Sequence, residues 1–193
     1  MTGNVTLSVA EHVATIVLDR PAKHNAITRE MAAQLQEICQ KVDRDDAVRA
    51  ILLKGAGERA FCSGSDLGAL ATYPSAWHFR NRVIYENTIR FIRKPVVVAL
   101  KGWVLGGGAE MALAADIRVC GRSARWGFPE VTRGWVGGGG ASQMLPRLIG
   151  YGQAMRLLLS GDPIDAEEAY RLGMVEYLVD DAEVATTALG LCK

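Results

Sequence analysis

No stretch of this chain is both long and apolar enough to span a membrane. The opening "MTGNVTLSVAEH" lacks a basic segment followed by an apolar one, so no signal peptide is expected. Neither sign of charge is in excess: 22 Lys and Arg stand against 21 Asp and Glu, a formal net charge of +1. That balance gives no electrostatic reason to expect nucleic acid or an anionic membrane as partner. The four cysteines, Cys39, Cys62, Cys120 and Cys192, form no C-x-x-C pair and no ladder of spacings. Reduced thiols in a cytoplasmic compartment are therefore expected. His12, His24 and His78 are scattered, with no H-E-x-x-H and no Cys/His cluster, so no metal is expected. Over 193 residues there is no linker-like segment and no exact internal repeat, which suits a single domain spanning 1–193.

What is present is enough apolar material for a core: 49% of residues are hydrophobic and 22% charged. "VTLSVAEHVATIVLDRP" reads as two short strands turning near Glu11 and His12, because Val5, Leu7 and Val9 alternate with polar residues. Thr28 can cap a helix whose apolar stripe is Met31, Leu35, Ile38 and Val42. "VRAILLKGAG" is a buried strand, and "FCSGSDLGAL" is turn-rich. Residues 68–82 have no clean period and read as a mobile loop or irregular helix. "VIYENTIRFIRK" is helical up to Pro95, and "PVVVALKGWV" is a buried strand. A helix runs from Glu110 to Ala115, "DIRVCG" is a strand, and "GYGQAMRLLLSG" is a helix. Asp165 and Glu168 form a capping box for "AEEAYRLG", which Gly173 can end, and "MVEYLV" is a last strand. The alternation makes the chain α/β.

The stretch "VLGGGAE", 104–110, puts glycines at a helix start. Free N–H groups and a partial positive charge point outward there, and glycines admit a ligand close to the backbone. The same glycines would serve close helix–strand packing equally well. "FCSGSD" also follows a strand, and its residue 65 N–H could face the first site across a cleft; by itself it is as well read as an ordinary turn. Two such donors suit an oxygen that gains charge during reaction. Glu110 follows the glycines and Glu130 ends "RWGFPE", where Trp126, Phe128 and Pro129 offer an apolar setting that raises a carboxyl pKa. Singly, each is an unremarkable surface glutamate. "GAGERA" fits a dinucleotide-binding turn, but no helix follows it and no acid stands at the required distance. Ser63 and Ser65 flank Gly64 without a G-x-S-x-G or an evident histidine partner.

In order, "RPAKHNAIT", "AFCSGSDL", "KPVVVALKGWVLGGGAEMALAADIRV", "WGFPEVTRGWVGGGGASQMLPRLIG" and "AEEAYRLGMVEYLV" resemble the enoyl-CoA hydratase/isomerase, or crotonase, superfamily from about residue 5 to about 180. The resemblance implies the ClpP/crotonase spiral of ββα units. It implies an acyl-CoA substrate whose enolate is held by the N–H groups of Ser65 and Gly107. Glu110 and Glu130 match the two acids of the hydratase branch, which add water in syn fashion across a 2-enoyl-CoA; other branches often keep one or neither. Arg20, Lys23 and His24 match a loop lining the CoA pocket. Ala26 and Ala60 are expected along the same groove, with Gly64, Asp66, Leu67 and Gly106 in the same motifs. The resemblance implies no cofactor beyond the CoA carried by the substrate.

This sequence departs from the pattern in three places. "WVGGGG" replaces the usual "IPGAGG", so Trp135 can reshape the acyl pocket. "GSD" replaces "GAD", which preserves a backbone N–H. Family members usually continue through further helices that help form trimers, whereas here the sequence stops at "ALGLCK". The expectation is a core domain without that helical segment, and a homotrimer or hexamer if those helices exist. Alternatives are another superfamily reaction (isomerisation, carnitinyl-CoA-type dehydration, C–C hydrolysis) or a catalytically poor acyl-CoA-binding or assembly subunit.

Overall fold

The computed structural model describes residues 3–70 and 72–193. Strands β1 (Asn4–Ala10) and β2 (Val13–Asp19) pair antiparallel with Leu7 opposite Ile16. Glu11 and His12 join them at φ of 50° and 66°, the left-handed pair that a two-residue hairpin turn requires. Helix α1 (Arg29–Arg44) starts where the Thr28 side chain accepts from the Met31 N–H, and it buries Met31, Leu35, Cys39 and Val42.

Strand β3 (Ala50–Gly55) is followed by β4 (Ala60–Cys62), then by α2 (Leu67–Leu70), α3 (Ala76–Arg80) and α4 (Tyr85–Arg90). Next come β5 (Val96–Leu100), β6 (Trp103–Leu105) and α5 (Gly107–Ala114). Strands β7 (Ile117–Gly121) and β8 (Arg125–Gly127) lead to a 3₁₀ turn, Pro129–Arg133. The chain then forms α6 (Ala141–Ile149), α7 (Tyr151–Ser160), β9 (Ile164–Asp165), α8 (Ala166–Arg171), β10 (Tyr177–Val179) and α9 (Val184–Cys192).

Two sheets result, one ordered β1-β2-β3-β5-β7-β10 and the other β4-β6-β8-β9. From β3 to β8 consecutive strands go to different sheets: β3, β5 and β7 run parallel in the first, and β4, β6 and β8 run parallel in the second. Each β–β–α unit thus adds one strand to both sheets, which is the spiral the resemblance implies. The main core fills the space between the elements on one side of the six-stranded sheet. On its other face α9 packs Val184 and Ala188 against Val13, Leu52, Val97 and Val119. Burial on both faces explains why β3 and β5 read as continuous apolar runs. Among the described residues, no helix is long and apolar enough to cross a membrane.

Several boundaries differ from the sequence reading. "PVVVALKGWV" is not one strand: Gly102, at φ +59°, breaks it into β5 and β6, and a Cβ there would overlap the Arg59 carbonyl. α5 starts at Gly107 rather than Glu110, so the glycines are its first turn. Within 68–82 lie parts of two short helices; residue 71 falls outside the described residues. Strands β4, β8 and β9 are too short to show a period, and α6 and α9 lie in segments the sequence reading left unassigned.

Asn25 ties the first loop to β4. It is fully buried at φ +54°, its Nδ2 donates to the carbonyls of Ala56, Ala60 and Phe61, and its Oδ1 accepts from the Arg20 N–H at 2.9 Å. Asn25→Ala strands those partners in a dry interior, and should lower unfolding stability by about 2–4 kcal/mol, read as a shifted midpoint in urea denaturation.

Candidate active site

A cleft of about 830 Å³ opens where the C-terminal ends of β4, β6 and β8 give way to loops. The sequence places its first wall here. β4 ends at Cys62, and Gly64 turns the chain at φ +89°. A Cβ on Gly64 would lie 3.1 Å from the Gly107 nitrogen, so the Gly64–Ser65 turn and the first turn of α5 are in direct contact. The loop is fixed from the other side: Ile27 N–H donates to the Gly64 carbonyl at 2.8 Å, and Asp66 N–H donates to the Ile27 carbonyl at 2.9 Å. Those bonds use the residues on either side of Ser65. Among the described residues the N–H groups of Ser65 and Gly107 have no protein acceptor, and Gly107 is the first residue of a helix, whose N–H has none within the helix. Two free backbone donors therefore sit on adjoining loops of one cleft, the arrangement that holds an oxyanion.

Three glutamates line the same cleft. Glu110 lies on the first turns of α5 and is 3% exposed. Its Oε1 accepts from the N–H groups of Gly139 at 2.9 Å and Ala141 at 3.0 Å, the surroundings of a carboxylate anion, while Oε2 has no partner among the described residues. Glu130 sits in the 3₁₀ turn after β8, half-buried, with Oε1 3.1 Å from where a Gly106 Cβ would stand. Burial lifts its carboxyl above the ordinary range, and the charge of Glu110 adds to the effect. Trp126 and Phe128 are buried just before it, and Pro129 lines the cleft.

The third acid, Glu86 on α4, is absent from the sequence reading. It is 6% exposed, and burial, with Glu110 adding, pushes its carboxyl up to about 7. Its Oε1 lies 2.5 Å from the position of a Gly107 Cβ. The signal for it was available: Glu86 falls between Val83 and Ile89 on the apolar face of the "VIYENTIRFIRK" helix, where an acid is out of place. Tyr85 is buried beside it and its hydroxyl hydrogen-bonds Ser65 Oγ at 3.1 Å.

Of the other residues singled out by sequence, Lys23, Ala26, Gly64, Asp66, Leu67, Gly106 and Trp135 all line the cleft. Ala60 and His24 do not. Ala60 is a buried residue of β4 that pairs with Trp103, and His24 caps the Pro21–Lys23 turn in the left-handed conformation. Arg20 is not a free cation for phosphate: its guanidinium is ion-paired with Asp66 and donates to the Ala26 carbonyl. Asp66 in turn accepts from the Ala69 N–H at the start of α2, so this pair braces the loop that carries Ser65. The glycine-rich "WVGGGG" makes room for the acids. A Cβ on Gly139 would fall 2.6 Å from Glu110 Oε2 and 2.6 Å from Glu86 Cγ.

With this geometry in hand, comparison with known proteins is informative. The enoyl-CoA hydratase/isomerase family profile matches residues 8–193. The (E)-benzylidenesuccinyl-CoA hydratase of Thauera aromatica is 36% identical over 187 residues, 95% of this chain and 73% of that protein. The short-chain-enoyl-CoA hydratase of Clostridium acetobutylicum is 34% identical over 188 residues, 96% of this chain and 72% of that protein. The crystal structure of an enoyl-CoA hydratase from Bacillus anthracis superposes with a TM-score of 0.92 at 33% identity, covering 98% of this chain and 75% of that one.

The raised carboxyl of Glu86 has a consequence for stability. A proton held more tightly in the folded state stabilises fully below the ordinary value of 4.5, and that stabilisation is lost as pH rises through about 7. Glu86→Gln carries no charge to bury. Its unfolding free energy relative to wild type should therefore improve by about 3 kcal/mol from acid to mildly alkaline pH, measured by denaturant titration across that range.

Proposed function

The chain belongs to the enoyl-CoA hydratase/isomerase family and is an enzyme of the hydratase kind; from that premise we propose how its own residues carry the reaction. The observation that carries the reading is the convergence of two free backbone N–H groups and the pair Glu110 and Glu130 on one cleft. A 2-enoyl-CoA thioester would place its carbonyl oxygen between the Ser65 and Gly107 N–H groups. As water adds at C3, negative charge moves onto that oxygen, and each donor contributes about 3 kcal/mol where charge develops.

The two acids divide the proton work. Glu110, oriented by the Gly139 and Ala141 N–H groups on Oε1, presents Oε2 to the attacking water and takes its proton. Glu130, held protonated to higher pH by burial, delivers a proton to C2. Addition from one face follows because both acids and the water occupy the same side of the bound enoyl group. Lys23 and the Ala26 strip at the cleft edge are candidate contacts for the CoA portion, and Trp135 for the acyl portion. No cofactor beyond the substrate's own CoA enters these steps.

The direct test follows loss of the conjugated-thioester absorbance of crotonyl-CoA. Wild type should consume it, and Glu110→Gln and Glu130→Gln should each lower kcat by about 10²–10⁴-fold. A doubly substituted enzyme near wild-type activity would refute the two-acid division. Because the Glu130 carboxyl is raised, the acid needed at C2 is lost as pH increases, so kcat/KM should fall on the alkaline side. Gly107→Pro removes one oxyanion donor and should abolish turnover in the same assay.

A further inference from the structure

The proposed hydration uses two glutamates, and the cleft holds three. Glu86 and Glu110 converge on one point. The position a Gly139 Cβ would take is 2.6 Å from Glu110 Oε2, 2.6 Å from Glu86 Cγ and 2.7 Å from Glu86 Cδ. The contact is with Oε2, the oxygen left free by the Gly139 and Ala141 N–H groups and assigned above to the attacking water. Glu86 is nine-tenths buried and lines the cleft, and its Oε1 reaches the backbone of Gly107. No ion pair among the described residues includes it.

We propose that Glu86 is a positioning residue for Glu110: as a neutral acid it leaves Glu110 Oε2 aimed at the attacking water, and its ionisation sets a second negative charge against that oxygen and pushes it out of line. Two carboxylates flanking one glycine cannot both carry charge without cost. The N–H groups of Gly139 and Ala141 favour a charge on Glu110, whereas burial, with the Glu110 charge adding, favours the neutral form of Glu86. The other groups facing Glu86 do not reverse this. Glu110 from α5 and Cys62 from β4 disfavour its charge or are too buried to carry one; Tyr85 beside it and Arg82 ahead of α4 act the other way, and Arg90, one turn further along α4, spends a guanidinium N–H on the Gly139 carbonyl at 2.7 Å. The sequence feature that permits the pair is the glycine at 139, since any side chain there would occupy the space between them.

This inference rests on the hydratase reading, and the experiment separates the two. The ratio of kcat/KM for Glu86→Gln to that of wild type is measured with crotonyl-CoA across pH. Glu130 is present in both proteins, so its ionisation cancels in the ratio. Loss of the Glu86 proton affects wild type alone, and the ratio should rise by about tenfold between about pH 6 and about pH 8. A flat ratio would overturn the proposal, because a residue that merely fills space would change the rate equally at every pH.

A second measurement needs no turnover. In protein labelled with ¹³C at the glutamate carboxyl, the Glu110 resonance should move in step with a titration of Glu86 near pH 7, and that movement should vanish in Glu86→Gln. A Glu110 signal indifferent to Glu86 would refute the positioning role. If wild type leaves crotonyl-CoA unchanged while the two signals remain coupled, the hydration reading fails and the coupling stands.

Discussion

The first turn of α5 lies backbone to backbone against β4, with no side chain between them. A Cβ on Gly108 would overlap the Cys62 carbonyl, so the helix can approach this closely only as glycine. The rest of the site follows from that approach. It sets the Gly107 N–H beside the Gly64–Ser65 turn, and one turn further along it points Glu110 into the cleft that the two loops create. The two readings left open for "VLGGGAE", helix packing and a backbone donor facing a ligand, are compatible. Close packing is how the donor reaches its place.

The cleft is also an electrostatic arrangement held by backbone. Glu110 is anchored by two N–H groups rather than by a cation, and the acids on either side of it keep their protons more tightly than free carboxyls do. A lysine or arginine partner would have lowered all three and left no proton donor at neutral pH. Arg20, on the loop before α1, is consumed by Asp66 in bracing the Ser65 turn.

The sequence made the strongly periodic elements and the ordered motifs legible. The β1–β2 hairpin, the stripe on α1, the residue 65 N–H, Glu110 and Glu130 were legible from the residues themselves, and resemblance added Gly107 and the division of roles. What could not be read were features made by distant segments meeting. β4, β8 and β9 are three residues or fewer and owe their strand conformation to partners elsewhere in the chain. Glu86 is buried because α4 packs on α5, and Asn25 gave no sign that its amide holds the carbonyl of Ala56 and two carbonyls of β4. Ala60, expected along the groove, is a buried residue of β4 paired with Trp103, a position set by a strand distant in sequence.

The break at Gly102 bears on how this molecule comes apart. From β3 to β8 successive strands alternate between the two sheets, so neither sheet is encoded by a contiguous piece of chain. Pulling β6 out of one sheet drags at β5 in the other within two residues. Partial opening confined to one sheet is thereby suppressed, and unfolding becomes a single cooperative event rather than a sequence of detachable pieces. The loops that hold the Ser65 and Gly107 N–H groups belong to this shared seam, so their geometry is underwritten by the stability of the entire fold and not by local contacts alone.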